Sequence, residues 1–137
     1  MKKLNRVLLV DDDDVNNFLS RQILEELDIY KHLVVLFNGK EALDYIIQEC
    51  VIPDKLEIDL IILDHHMPVM DGKEFMEEFN KRHFKGKEDI KILLLGAHST
   101  LKDLEMFKEL GVHDFTSKPL SKETVLELYD KYWAEKS

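Results

Sequence analysis

The sequence predicts a doubly wound α/β fold with a five-stranded parallel sheet, and three observations indicate this class. Apolar segments rich in β-branched residues recur near residues 5–10, 32–37, 58–63, 90–95 and 113–117. Each segment is followed by residues with the apolar spacing of a helix. The third and fourth segments are apolar almost throughout, which is typical of strands covered on both faces of a parallel sheet. The pattern is therefore a (βα)5 repeat within one domain, residues 1–137.

The first helix is expected to follow Asp14, whose carboxylate can cap the first free amides. Apolar residues recur in this helix at helical spacing and predict the face that packs on the sheet. They are Val15, Phe18, Leu19, Ile23, Leu24 and Leu27.

Later helices have boundary signals of their own. Thr100 and Asp103 form the pattern of a capping box at the start of the fourth helix, and Gly111 marks its end. Ser121 is placed to cap the fifth helix. Residues 49–57 are expected to be a loop that joins the second helix to the third strand.

Composition limits the classes of function. The net charge is −9 and the lysines are scattered among acids, which argues against nucleic-acid binding. Gly39 and Gly72 each precede a lysine but lack the spacing of a nucleotide-binding phosphate loop. Cys50 is the only cysteine, which fits a reducing compartment. Because no apolar stretch is long enough to span a membrane and no signal peptide is visible, we expect a cytoplasmic protein without a membrane partner.

Charged residues follow three of the predicted strands at the point where each strand ends. Asp11 and Asp12 follow the first strand, Asp64 ends the third, and Lys118 follows the fifth. The carboxyl ends of parallel strands meet at one edge of a sheet, and the functional crevice of doubly wound folds lies there. Clustered carboxylates raise one another's pKa unless a cation is present. These residues predict a magnesium-assisted site at which an aspartate carries a phosphoryl group.

The same residues, with their flanking turns, resemble the receiver domain of two-component response regulators. The resemblance runs from Val7 to about Tyr132. The motifs that carry it are the acid pair Asp11-Asp12 after the first strand, and Asp64 with the turns Met67-Pro68 and Asp71-Gly72 after the third. The last is Lys118-Pro119 after the fifth strand. The resemblance implies a flavodoxin-like sheet with the strand order 2-1-3-4-5. Because the chain ends soon after the predicted fifth helix, we expect a stand-alone receiver with no output domain.

The resemblance assigns a role to each residue of the site. Asp64 is the phosphoacceptor. Asp12 and Asp64 bind Mg2+ directly, the backbone carbonyl of His66 completes the protein ligands, and Asp11 acts mainly through water. Lys118 pairs with Asp64 when the site is empty and with a phosphoryl oxygen when it is filled.

The sequence departs from the family at Gly96, where receivers usually have Ser or Thr. That hydroxyl binds the phosphoryl group and draws the loop after the fourth strand inward, while an aromatic residue on the fifth strand, here Phe115, moves into the vacated space. Gly96 has no side chain for this bond. Ser99 or Thr100 could substitute, but both are better explained as helix caps.

Three histidines lie near the predicted site. His65, His66 and His98 lack the ligand spacing of a transition-metal site, and adjacent side chains on a turn are expected to diverge. By resemblance, His66 and His98 frame the access of hydrolytic water, so we expect them to tune the lifetime of the phosphorylated state.

The resemblance predicts a phosphoacceptor without further enzymatic activity. Its donor would be a histidine kinase or a histidine phosphotransfer protein, and its signal would pass through the surface of the fourth helix, fifth strand and fifth helix. Two alternatives stay open. One is a pseudo-receiver that binds partners without phosphorylation. The other is a haloacid-dehalogenase-type Mg2+ phosphatase that uses Asp11 and Asp13.

Overall fold

A computed structural model describes residues 2–51, 57–96 and 100–134, apart from the side chains of Cys50 and Val51. Five strands form one parallel sheet in the order β2-β1-β3-β4-β5. They are β1 (Leu4–Val10), β2 (Tyr30–Leu36), β3 (Ile58–Asp64), β4 (Lys91–Gly96) and β5 (Asp114–Ser117). The predicted fold class and strand order are confirmed.

A helix follows each strand, and the five helices cover both faces of the sheet. They are α1 (Asp14–Leu27), α2 (Gly39–Ile46), α3 (Gly72–Asn80), α4 (Leu101–Glu109) and α5 (Lys122–Tyr132). One buried cluster joins the sheet to apolar residues of α2, α3 and α4. A second joins the opposite face to α1 and α5. Burial on both faces explains the almost continuous apolar runs of β3 and β4.

Helix boundaries agree with the sequence except at α1. Thr100 and Asp103 form the predicted capping box, and Ser121 accepts a hydrogen bond from the Thr124 amide. At α1 the cap is Asp13, not Asp14, because the Asp13 carboxylate accepts hydrogen bonds from the first amides of the helix. Asp14 is the first helical residue, where its negative charge still favours the helix dipole.

The buried face of α1 also differs from the prediction. Val15 and Phe18 are 67% and 65% exposed, whereas Asn17, Ser20 and Leu24 are buried. These three residues are spaced three and four positions apart, so they share one side of the helix. The first half of α1 therefore packs a polar side chain against the end of β1, and its apolar residues face outwards.

Two shorter helical segments complete the description. The expected loop at 49–57 begins with a π-helical segment, Ile47–Val51, so the prediction was wrong for its first residues. A 3-10 turn, Lys87–Asp89, precedes β4. The predicted site residue His98, and Ser99 beside it, lie outside the described residues. Within the described ranges, every helix is too short or too polar to cross a membrane.

Candidate functional site

The sheet brings the predicted charged residues to one edge. Asp11 follows the last residue of β1, Asp64 is the last residue of β3, and β1 pairs directly with β3. Asp11 and Asp64 are only 1% and 3% exposed, whereas Asp12 is exposed. Two buried carboxylates thus stand side by side beneath an accessible third.

Lys118 supplies the positive charge of the site. Its Nζ lies 3.1 Å from Asp64 Oδ1 and 3.3 Å from Asp11 Oδ2. The ion pair with Asp64 was predicted, and the contact with Asp11 was not. The Lys118 amide also donates to the Gly96 carbonyl at 3.3 Å, which ties the segment after β5 to the end of β4.

Burial and neighbouring charges shift the titration of these groups. Burial raises the pKa of Asp64 to about 6, with a further contribution from the negative charge of Asp11, and Lys118 opposes both. Burial lowers the pKa of Lys118, but its close contacts with the carboxylates of Asp64 and Asp11 outweigh that effect and raise the pKa overall. One lysine thus compensates the two carboxylates only in part, and a second cation would relieve the remaining repulsion.

The carboxylates fit a hard divalent cation. One oxygen each of Asp11, Asp12 and Asp64 lies within 4.8 Å of the others. Asp11 Oδ2 is buried and has only its ion-pair contact with Lys118, without a hydrogen bond from any described residue. No described donor uses the backbone oxygen of His66. Mg2+ prefers such oxygen ligands and retains several waters.

The backbone of Asp11 is held on several sides. Its amide donates to the Leu36 carbonyl at 3.0 Å, and its Oδ1 accepts from the Asp13 amide at 3.0 Å. The Asn17 side chain donates to the Asp11 carbonyl at 2.8 Å. Asn17 was missed in the sequence. Its signal was a polar residue at helical spacing from Ser20, and the apolar residues beside it obscured that pattern.

The loop after Asp64 is packed against glycines. Gly72 donates its amide to the His65 carbonyl at 2.9 Å, and Gly39 donates to the Met70 carbonyl at 2.9 Å. A β-carbon on Gly39 would stand 2.8 Å from the Met70 oxygen. Between these contacts Val69 has a φ of 68°, an uncommon conformation for a β-branched residue, in a γ-turn closed by the Met70 amide.

The adjacent histidines do not diverge as expected. The rings of His65 and His66 stack with centroids 4.0 Å apart, and the rings of His65 and Phe107 are nearly perpendicular with centroids 4.8 Å apart. Burial lowers the pKa of His65, and the nearby charge of His66 lowers it further. Among the described residues, the group able to hold a metal contains only aspartates, so neither histidine side chain belongs to it.

Gly96 and Phe115 occupy the positions that the sequence indicated. Gly96 is the buried last residue of β4 and pairs with Ser117. Its neighbour Leu95 pairs with Asp64, so Gly96 stands one residue beyond the level of Asp64 on the adjoining strand. Phe115 is half-buried and packs against the cluster under α2, α3 and α4.

Comparison with known proteins agrees with this arrangement. The family profile described as Response regulator receiver domain matches residues 7–130. The chain belongs to this family. Asp11, Asp12, Asp64 and Lys118 of this receiver domain all lie within the matched residues.

Relatives of this receiver domain include parts of larger proteins and chains of similar length. The aerobic respiration control sensor protein ArcB of Escherichia coli (strain K12) is 34% identical over 127 residues, which are 93% of this chain and 15% of ArcB. The two-component response regulator ORR41 of Oryza sativa subsp. japonica is 31% identical over 132 residues, which are 96% of each chain. The crystal structure of a two component response regulator from Cytophaga hutchinsonii has a TM-score of 0.85 at 26% identity, covering 98% of this chain and 100% of that one.

Proposed function

We propose that this receiver domain accepts a phosphoryl group on Asp64 with the help of Mg2+. The observation that carries the proposal is the buried ion pair of Asp64 and Lys118, 3.1 Å apart, beside the carboxylates of Asp11 and Asp12. By analogy with other receiver domains, the ion would be held directly by Asp12, Asp64 and the His66 carbonyl. Asp11 would act through water. When bound, Mg2+ offsets negative charge on the transferring phosphoryl group.

Each residue has a distinct part in the transfer. An ionised oxygen of Asp64 donates an electron pair to phosphorus while the bond between phosphorus and the donor atom breaks, and the leaving atom keeps that pair. Lys118 turns from Asp64 towards a phosphoryl oxygen, and its contact with Asp11 keeps the ammonium at the site. The low exposure of Asp64 limits access of water to the acyl phosphate.

The proposed donor is a histidine kinase or a histidine phosphotransfer protein. ArcB is named a sensor protein and ORR41 a two-component response regulator, which supports a place in such a relay. Large apolar side chains near the acidic turn, residues 11–14 between β1 and α1, also support a protein donor. Val15 and Phe18 on α1 and Phe37 after β2 are exposed, although single residues of this kind are common on protein surfaces.

Phosphorylation by a small donor tests the proposal. Phosphoramidate or acetyl phosphate with Mg2+ should add one phosphoryl group, detected by intact-protein mass spectrometry, and Asp64→Asn should abolish the adduct. Asp59→Asn is the matched control, since Asp59 lies on β3 at the opposite end of the strand. An adduct that persists in Asp64→Asn would place the nucleophile elsewhere.

A second candidate function is a receiver that binds partners without phosphorylation, and Gly96 is the observation that favours it. Fluoroberyllate with Mg2+ separates the two, because it occupies a competent phosphoacceptor site without any chemical step. Absence of both binding and an adduct would support the pseudo-receiver. The phosphatase alternative has less support, because it requires Asp13 at the site. The Asp13 carboxylate instead caps α1 and does not belong to the group formed by Asp11, Asp12 and Asp64.

A further inference from the structure

The peptide unit between Asp11 and Asp12 lies just beyond the sheet. β1 ends at Val10, so the Asp11 carbonyl has left the hydrogen-bond ladder. Asp11 is 1% exposed, and a buried carbonyl needs a donor from another part of the chain. Asn17 Nδ2 supplies that donor at 2.8 Å.

The environment of Asn17 indicates why an amide stands at this position. Asn17 is 7% exposed, and its Oδ1 is buried with no hydrogen-bond partner among the described residues. A buried polar group with one unsatisfied oxygen opposes stability, and an apolar residue would fill the space without that penalty. We therefore attribute the role of Asn17 to the hydrogen bond that its Nδ2 donates to the Asp11 carbonyl.

We infer that Asn17 is a positioning residue for the acid pair: its bond to the Asp11 carbonyl orients the peptide plane that leads into Asp12. The other end of Asp11 is already held, because its amide donates to the Leu36 carbonyl at 3.0 Å. With both ends held, the chain leaves β1 in one direction and presents Asp12 beside Asp64. The inference rests on the proposed function, since metal binding is what this orientation serves.

The neighbouring Asn16 is a matched control. Asn16 Nδ2 donates to Asp13 Oδ2 at 3.1 Å, in an exposed contact within the helix cap. It is less buried than Asn17, and its side chain makes no hydrogen bond with Asp11 or Asp12 among the described residues. The two asparagines are adjacent and chemically identical. A difference in Mg2+ affinity between their alanine variants therefore depends on the position of the lost side chain and not on its chemistry.

Magnesium affinity of the two alanine variants tests the inference. We expect Asn17→Ala to raise the Kd for Mg2+ about tenfold in NMR titrations of metal-free protein, and Asn16→Ala to change it less than about twofold. A second readout is the rate of phosphorylation by phosphoramidate as a function of Mg2+. For Asn17→Ala the half-saturating concentration should rise while the rate at saturating Mg2+ recovers, which a general loss of folded protein would not produce.

The outcomes separate this inference from the proposed function. Equal Mg2+ affinity in the Asn17→Ala and Asn16→Ala variants, or a rate that stays low at saturating Mg2+, would overturn the positioning role alone. A wild-type protein that binds neither Mg2+ nor fluoroberyllate would overturn the proposed function, and the inference with it. If Asn17→Ala does not fold, Asn17→Ser replaces it. Its shorter side chain cannot reach the carbonyl in the same way, and the same weakening is expected.

Discussion

Gly72 lies directly against the backbone of Asp64. A β-carbon added to Gly72 would stand 2.6 Å from the Asp64 carbonyl oxygen and 3.2 Å from the His65 Cα. The obstacle is backbone and not the end of a flexible side chain, so the strand or the helix must move to admit any larger residue. The start of α3 and the end of β3 are therefore fitted to each other through a residue without a side chain.

Replacing this glycine should disturb stability and the site together. We expect Gly72→Ala to lower the free energy of unfolding by about 1–3 kcal/mol, as for other overpacked positions, in urea denaturation. It should also slow phosphorylation of Asp64 by a small donor. Lys73→Ala, at the next and exposed position, is the control and should change neither quantity appreciably. A fully stable Gly72→Ala protein would show that the contact relaxes easily.

The raised pKa of Asp64 predicts how stability depends on pH. In the folded protein this carboxyl titrates near 6, against a usual value of 3.8. Between these values the folded state binds the extra proton, so the free energy of unfolding falls as pH rises. Above about pH 6 the charged carboxylate costs on the order of 3 kcal/mol, from 1.36 kcal/mol per pKa unit.

Asp64→Asn isolates this contribution from that of every other acid. Relative to wild type, we expect the variant to gain stability as pH rises from about 4 to about 7, in urea denaturation without divalent metal. Mg2+ at neutral pH should stabilise the wild type and have much less effect on the variant. A stability difference that does not change with pH would contradict the raised pKa.

The parts of this molecule that were predictable follow from chain topology. Parallel strands place all their carboxyl ends at one edge, so Asp11, Asp64 and Lys118 had to meet once the five strands were recognised. The contact between Lys118 and Asp11 depends on where a flexible side chain settles between two carboxylates, and no sequence pattern encodes that position.

The predictions of the buried face of α1 and of the histidine orientations were wrong because contacts between distant elements outweighed the local sequence pattern. Apolar spacing on α1 favoured Val15 and Phe18 as core residues, but the buried side begins with Asn17, since the end of β1 needs a hydrogen-bond donor there. The stacking of His65 on His66 was also unpredictable. His65 also packs against Phe107, which is distant in sequence.

The acidic turn should separate into metal-binding and capping residues. We expect Asp12→Ala to abolish most Mg2+ binding in an NMR titration, because its exposed carboxylate belongs to the acidic group. Asp13→Ala should retain Mg2+ affinity but lose about 1 kcal/mol of stability, because its side chain caps the first amides of α1. Equal loss of Mg2+ affinity in both variants would mean that the helix cap and the metal site are coupled.

Gly96 gives the sharpest prediction about signalling. A missing hydroxyl removes one hydrogen bond to a charged phosphoryl group, about 1.5–3 kcal/mol, and only such a differential contact can shift a conformational equilibrium. We expect fluoroberyllate to perturb the amide signals of Asp64 and Lys118 strongly and those of Phe115 and α4 only modestly.

Substitution of Gly96 tests whether the hydroxyl is the missing element. Gly96 lies in the extended backbone of β4 and pairs with Ser117, so a β-branched residue suits its conformation. Gly96→Thr should enlarge the changes at Phe115 and α4 on binding fluoroberyllate, whereas Gly96→Val, of nearly the same shape but without the hydroxyl, should not. If both variants behave alike, side-chain volume and not hydrogen bonding governs the response. If the wild type already shows full changes at Phe115, another group carries the coupling.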